Sequence, residues 1–256
     1  MKWTRKALAP ALLAGLLGAC TVPPQAAAPA ATGPAKLDDD VAATLRAMSQ
    51  TLASAKALTV NMSILREGRL GEEQDILLSA TSAVAMRRPD RLAGIVGSDL
   101  GSFSLWYDGT KVTVYNPVSN AYGSTPLTGD TDTVMTWLEK RLGIDIVVRP
   151  LLLSDPYADL TRSGTTGVRV GASLVRGMPV DHYAMRSPGV DWEIWVSTTG
   201  PKLPRRVSVV DRSGPEKLRV IVEFDNWNLS PRLSDAHFVF SPPRGAVEAT
   251  PVLLRE

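Results

Sequence analysis

The chain has 256 residues, of which 44% are hydrophobic, and its 28 Lys and Arg nearly balance its 26 Asp and Glu. This balance leaves no basic stripe of the kind that binds nucleic acid, so we interpret the pair Arg87-Arg88 as a solvated strand end. The single cysteine excludes an internal disulfide.

The N-terminus has the residue order of an export signal. Lys2, Arg5 and Lys6 precede an apolar run, residues 7–19, that ends in small residues. This run is shorter than the about 20 apolar residues of a transmembrane helix, so residues 1–19 are predicted to be a cleaved signal peptide. Cleavage lowers the basic count from 28 to 25, against 26 acidic residues.

The end of this segment, Leu17-Gly18-Ala19-Cys20, resembles the lipobox of bacterial lipoproteins. The resemblance implies cleavage before Cys20, lipidation of its sulfur and attachment to a membrane through the acyl chains. The alternative is an ordinary signal peptide with a cysteine there by chance. An Asp after the cysteine marks inner-membrane retention in such lipoproteins, and here Thr21 follows it. The resemblance therefore implies the periplasmic face of a Gram-negative outer membrane.

Alanine and proline dominate residues 20–36, which are predicted to form a flexible tether behind the lipid. Residues 37–256 are predicted to form one domain that begins with a helix. Its apolar face consists of Val41, Leu45, Met48 and Leu52. Asp38, Asp39 and Asp40 precede that face, which favours helix capping over a metal site.

Alternating apolar residues then predict strands. The first contains Leu58, Val60, Met62 and Ile64, and Gly68 and Gly71 bracket the turn to the next, which contains Ile76, Leu78 and Ala80. A third contains Phe103, Leu105 and Tyr107 and runs into Asp108-Gly109, a strong hairpin signal, with Val112 and Val114 on the return strand.

A helical insert interrupts the strands. Asp130 or Thr131 caps a predicted helix that Gly143 would end. Its apolar residues are Val134, Met135, Trp137, Leu138 and Leu142. Leu151, Leu152 and Leu153 predict a second short helix, and both are apolar enough to cover or plug the sheet.

Strand patterns return after the insert and continue to the C-terminus. The inward residues are predicted to be Val190, Trp192, Ile194 and Val196, then Leu218, Val220, Val222 and Phe224. A final strand is predicted around Phe238-Val239-Phe240. Short strands with one apolar face indicate an antiparallel sheet that curves around either a core or a cargo.

Several blocks, in this order, resemble a family of predicted periplasmic proteins, domain of unknown function 2092. They are Trp106-Tyr107-Asp108-Gly109, residues 112–117, residues 177–182, residues 190–195, residues 203–206 and residues 227–243. That family is similar to the LolA/LolB lipoprotein-carrier superfamily. The resemblance implies a mainly β (α+β) fold, in which a strongly curved antiparallel sheet forms a half-open barrel closed by helices.

The resemblance also implies binding of acyl chains, lipoproteins or another hydrophobic ligand in an apolar cavity. The candidate cavity residues are Leu58, Val60, Met62, Ile64, Phe103, Leu105, Tyr107, Trp137, Leu138, Leu142, Trp192, Ile194, Val220 and Val222. The alternative is that these side chains simply fill a core. The rival function is that of a sensor or structural lipoprotein in which the same cavity regulates a protein partner; the resemblance implies RseB, a periplasmic sensor, as a relative by fold.

A hydrolase is the third hypothesis. The sequence contains no Gly-x-Ser-x-Gly nucleophile elbow, no His-Glu-x-x-His zinc motif and no phosphate-binding loop. His182 and His237 are interpreted as hydrogen-bonded strand residues. We therefore expect no enzymatic activity, no metal and no cofactor.

Overall fold

The computed structural model describes residues 36–71, 74–142, 147–162, 164–214 and 217–249, without the side chain of Leu142. The predicted signal peptide, Cys20 and all of the predicted tether except Lys36 lie outside the described residues, as does Gly143, the predicted end of the second helix. Within the described residues, no helix is both long and apolar enough to cross a membrane.

The described residues form one large sheet. Its strands are β1 Ala57–Leu70, β2 Gln74–Arg87, β3 Arg91–Ser98, β4 Gly101–Tyr107, β5 Lys111–Asn116, β6 Ala121–Pro126, β7 Thr166–Val175, β8 Met178–Ser187, β9 Val190–Ser197, β10 Pro204–Asp211, β11 Arg219–Asn228 and β12 Val247–Glu248. Their spatial order is β12-β6-β5-β4-β3-β2-β1-β11-β10-β9-β8-β7. Neighbouring strands are antiparallel except for the parallel pair β12–β6. The mainly β prediction is confirmed, and the curved sheet is open.

Four α-helices accompany the sheet: α1 Asp39–Ser54, α2 Thr131–Leu142, α3 Arg149–Leu152 and α4 Pro156–Leu160. In α1 all four apolar residues predicted from spacing have 0% exposure. Asp38 takes the N-cap position, but its side chain makes no capping hydrogen bond. The acidic residues of the first turn therefore act on the helix through their charge, near the positive end of its dipole.

The alternation predicted for the strands is confirmed in the burial of their side chains. Along β1, Leu58, Val60 and Met62 are buried on one face, and β11 buries Val220 and Val222 in the same way. Gly68, predicted to open the first turn, still lies within β1, and the turn begins at Gly71. Gly109 has a φ of 91°, as the predicted hairpin turn requires.

The strands β3 and β6 are absent from the sequence predictions. β3 contains Gly94 and Gly97 on either side of Ile95-Val96, so no alternation of large apolar residues extends along it. In β6, Tyr122 is the only large side chain, so this strand has no apolar alternation either. Both strands form because they are paired on each side by neighbours, which the residue pattern of one strand does not reveal.

The predicted final strand around Phe238-Val239-Phe240 is wrong. Residues 229–249 are here called the C-terminal strap. The strap contains a 3₁₀ helix, Asp235–Phe238, and the short edge strand β12. Phe238 has 0% exposure and is buried beside Ala85 and Ala93. Arg87 donates a hydrogen bond to the Leu233 carbonyl at 2.8 Å and pairs with Asp235.

A second aromatic side chain of the strap, that of Phe240, packs against the sheet two residues beyond Phe238. The ring of Phe240 lies 4.9 Å from Trp106, 5.6 Å from Tyr115 and 5.0 Å from Tyr122, measured between ring centroids. Phe238 and Phe240 therefore do not belong to a strand. They anchor the strap on the face of β2–β6 opposite to the helices.

Candidate functional site

A cavity of about 310 Å³ lies between the sheet and the helical segment. Strands β1, β2, β3, β4 and β11 form its floor, and residues of α2 and of 147–152 cover it. The lining is Met62, Ile64, Arg66, Leu78, Ser79, Ala80, Ser82, Val84, Leu92, Ala93, Gly94, Val96, Ser98, Leu100, Phe103, Leu105, Met135, Leu138, Val147, Val148, Leu152, Val220 and Val222. We call this space the first cavity.

The first cavity is apolar over most of its surface. Its polar lining residues are Arg66 and three serines, Ser79, Ser82 and Ser98. Small-molecule sites commonly combine an apolar wall with a few polar groups and enclose about 300 Å³ or more. The space therefore suits a hydrophobic ligand with a polar end.

A second cavity of about 380 Å³ lies on the other side of residues 147–151. Its lining is Val147, Pro150, Leu151, Asp159, Leu160, Arg162, Ser187, Pro188, Val190, Trp192, Ile194, Val207 and Val209. Val147 lines both cavities. The sequence predicted one common apolar side for these strands, and the structure divides that side into two spaces.

The structure separates the fourteen predicted cavity residues into four groups. The first cavity is lined by Met62, Ile64, Phe103, Leu105, Leu138, Val220 and Val222. The second is lined by Trp192 and Ile194. Neither lining includes Leu58, Val60, Tyr107 or Trp137. The side chain of Leu142 lies outside the described part of the chain.

Each of the four residues outside the linings has a packing role. Leu58 and Val60 are buried in the same apolar cluster as the residues of α1, which precedes β1 by two residues. The Tyr107 hydroxyl donates a 2.6 Å hydrogen bond to the Gly129 carbonyl, and burial raises the pKa of Tyr107. Trp137 is half-buried against the core.

Other lining residues escaped the sequence prediction. Ala80 and Leu78 were assigned to the apolar face of β2 without being placed in the cavity, whereas Leu92 and Val96 lie on the unpredicted strand β3. Met135 was read as part of the covering helix. The alternation along β2 was a signal that could have found Leu78 and Ala80, and β3 offered none.

The helical cover, residues 131–142 and 147–160, is fastened to the β2–β3 turn by Arg88. Its guanidinium donates to the carbonyls of Leu152 at 3.1 Å and Leu153 at 2.9 Å. Burial lowers the pKa of Arg88, and the charge of Asp132 partly offsets this effect. The interpretation of Arg87-Arg88 as a solvated strand end is therefore wrong for Arg88, which binds helix-end carbonyls that lack intrahelical partners, and Arg87 binds the C-terminal strap.

A second fastening joins two parts of the helical cover. The carboxylate of Asp132 in α2 accepts hydrogen bonds from the Ser154 backbone N–H at 2.9 Å and from its hydroxyl at 2.5 Å. Asp132 and Arg88 thus hold the start of α2 and the end of α3 together above the sheet.

Replacing Arg88 by methionine is expected to lower the free energy of unfolding by about 1.5 to 3 kcal/mol, the usual contribution of hydrogen bonds to a charged group. Methionine keeps much of the apolar length but leaves the Leu152 and Leu153 carbonyls without these donors. Urea unfolding measures the change. Arg88→Lys, which restores one charged donor, should recover part of it; an unchanged midpoint for Arg88→Met would show that the fastening is dispensable.

The two histidines lie away from both cavity linings. His182 Nε2 lies 3.1 Å from a carboxylate oxygen of Glu193, and its ring stacks on Trp195 at 4.0 Å. His237 belongs to the 3₁₀ helix rather than to the predicted strand. Among the described residues, no group of three or more His, Cys, Asp or Glu is placed to hold a metal ion.

The sequence matches the model of a protein family described as "Predicted periplasmic protein (DUF2092)" over residues 42–250. It matches no curated protein sequence.

The fold is similar to those of several solved structures. It is similar to the lipoprotein LppX of Mycobacterium tuberculosis, with a TM-score of 0.41 and 11% identity, over 77% of this chain and 100% of that one. A LolA superfamily protein from Nitrosomonas europaea gives a TM-score of 0.30 and 11% identity, over 77% and 96%. MucB gives a TM-score of 0.36 and 11% identity, over 80% of this chain and 64% of MucB.

Proposed function

The chain belongs to the DUF2092 family of predicted periplasmic proteins, and we propose that, in this location, it binds the acyl chain of a lipid or lipoprotein in the first cavity. In this proposal the open sheet is a half-open barrel, closed by the helical cover as in the LolA/LolB carriers that the sequence resembles. The role requires binding and release rather than a catalysed step.

The observation that carries the proposal is the apolar first cavity. At ~30 Å³ for each methylene, about the liquid volume of one water molecule, 310 Å³ accommodates about ten methylenes. Burial of ten methylenes contributes about 8 kcal/mol before the costs of ordering the ligand. That gross contribution corresponds to micromolar affinity, and the ordering costs weaken it.

We further propose that residues 37–256 form the binding domain and that a lipidated Cys20 and the tether, residues 20–36, attach it to the outer membrane. The family description supports a periplasmic location. The resemblance of residues 17–20 to a lipobox supports the anchor. An anchored domain with an acyl-binding cavity would exchange ligands next to a membrane surface.

Titration of the purified protein with dodecanoate tests the proposed binding. By calorimetry, we expect dodecanoate to bind the wild-type protein and Val96→Gln to lower the affinity of the first cavity about tenfold, because Val96 lines this cavity and an unpaired amide there opposes an apolar chain. Ile95→Gln is the matched control, since Ile95 is 58% exposed in the same strand and absent from the cavity lining.

Two results would contradict the proposal. Equal losses in the Val96→Gln and Ile95→Gln proteins would place the ligand elsewhere. Absence of dodecanoate binding by the folded wild-type protein would remove the carrier function and favour a sensor that acts through a protein partner.

A further inference from the structure

The two cavities are neighbours on one continuous floor. Arg66 in β1 pairs with Val220 in β11, Val220 pairs with Val209 in β10, and Val209 pairs with Trp192 in β9. The first two of these residues line the first cavity and the last two line the second. The boundary between the cavities therefore runs between β11 and β10.

The next row of paired residues has the same boundary. Ile64 pairs with Val222, Val222 with Val207, and Val207 with Ile194. Ile64 and Val222 line the first cavity, whereas Val207 and Ile194 line the second. The sheet is unbroken at these rows, because β10 and β11 are hydrogen-bonded to each other across the boundary.

The division comes from the helical cover above the floor. Val147 lines both cavities, Val148 and Leu152 face the first, and Pro150 and Leu151 face the second. The cover thus forms a ridge above two parallel grooves. Its position is fixed by the bonds from Arg88 to the Leu152 and Leu153 carbonyls.

Each cavity has polar side chains at the same end of the sheet, the end with the β3–β4 and β8–β9 turns, which we call the hairpin end. Ser98 adjoins the β3–β4 turn and lines the first cavity. Ser187 adjoins the β8–β9 turn and lines the second. Arg162 also lines the second cavity and is held near Ser187, because the Thr165 N–H donates to the Arg162 carbonyl and the Thr165 hydroxyl bonds Ser187.

We infer that the ligand is a lipid with two acyl chains, one in each cavity, whose headgroup lies at the hairpin end above the ridge. This inference rests on the proposed function and specifies its ligand class. At ~30 Å³ for each methylene, the first cavity holds about ten methylenes and the second about twelve. Two chains of similar length match two spaces of similar volume.

The arrangement favours two chains over a single long one. A single chain that passed beneath Val147 would run across the strands from one cavity to the other. It has one polar end, so it would leave the polar side chains of one cavity facing methylenes. Two chains that descend from one headgroup keep both sets of polar side chains beside polar atoms.

Two variants that each fill one cavity test the inference. Ala80→Trp places an indole in the first cavity, and Val209→Trp places one in the second. Ala83→Trp is the matched control, because Ala83 is exposed on the opposite face of β2. The probes share a headgroup: didecanoyl phosphatidylglycerol has two chains and monodecanoyl lysophosphatidylglycerol has one.

We expect wild type and Ala83→Trp to bind one molecule of the two-chain probe or two of the single-chain probe, by calorimetry and native mass spectrometry. Ala80→Trp and Val209→Trp should each bind one single-chain molecule. Each should also lose at least about tenfold in affinity for the two-chain probe, the loss expected if two methylenes are left unburied.

Wild-type affinity for the two-chain probe in either filling variant would place both chains in one cavity and overturn the inference. Failure of wild type to bind either probe would instead contradict the proposed function itself. If Val209→Trp does not fold, Leu160→Trp fills the second cavity from α4 and replaces it in the comparison.

Discussion

Replacing Ile194 by glutamate is expected to lower the free energy of unfolding by about 3 to 5 kcal/mol, the cost of an uncompensated buried charge. Ile194 has 0% exposure and lies between Val207 and Tyr183 in the sheet. The charged residues of the second cavity, Arg162 and Asp159, already pair with each other. Because small domains are stable by only about 5 to 15 kcal/mol, this variant should be close to unfolding at neutral pH.

The loss should depend on pH with a defined sign. Burial raises the pKa of the introduced carboxyl in the folded state, so the unfolded state releases its proton at lower pH. The part of the destabilisation that comes from the charge is therefore full above the folded-state pKa and disappears as the pH falls toward the ordinary glutamate value of about 4.3. Urea unfolding at several pH values measures it.

Ile95→Glu is the control for that experiment, since Ile95 is 58% exposed on β3. It should change the free energy of unfolding by less than about 0.5 kcal/mol, as exposed substitutions usually do. Equal stability of Ile194→Glu and wild type at pH 7 would mean that the second cavity admits water to its floor.

Replacing Cys20 by serine is expected to abolish lipidation and leave the unprocessed precursor, because the chain has no other thiol to carry the acyl chains. Fatty-acid labelling and gel mobility measure both effects. Thr21→Ala, which keeps the thiol, should be labelled like wild type. Labelling and membrane fractionation of Cys20→Ser at the wild-type level would refute the proposed anchor.

The sequence determines much of the fold because each strand or helix reveals which of its faces is buried. Spacing identified the buried face of α1, and alternation identified those of β1, β9 and β11. The strand β3 was missed because its glycines remove the pattern. Phe238 was assigned to a strand because a short run of aromatic and β-branched residues does not distinguish pairing in a sheet from packing against one.

The candidate site was predicted less completely, for a different physical reason. Leu58 and Met62 lie on the same face of the same strand, yet Leu58 belongs to the packed interior and Met62 lines the first cavity. The two residues differ in what covers them: Leu58 is buried in one cluster with the residues of α1, whereas Met62 faces the first cavity. Alternation within β1 does not reveal this difference. Arg88 illustrates the same limit, since its hydrogen-bond acceptors lie 64 and 65 residues away.

The C-terminal strap has a consequence for the order in which the chain folds. Arg87 contacts Leu233 and Asp235, which follow it by 146 and 148 residues, and β6 pairs with β12, whose Val247 and Glu248 lie far along the chain from Ala121 and Tyr122. Contacts of such long range slow folding, because the intervening loop must close before they contribute. Until residues 229–249 emerge, the strands β2–β6 have an uncovered face and a free edge. A chain built in this way completes its fold only after the C-terminal strap has been synthesised.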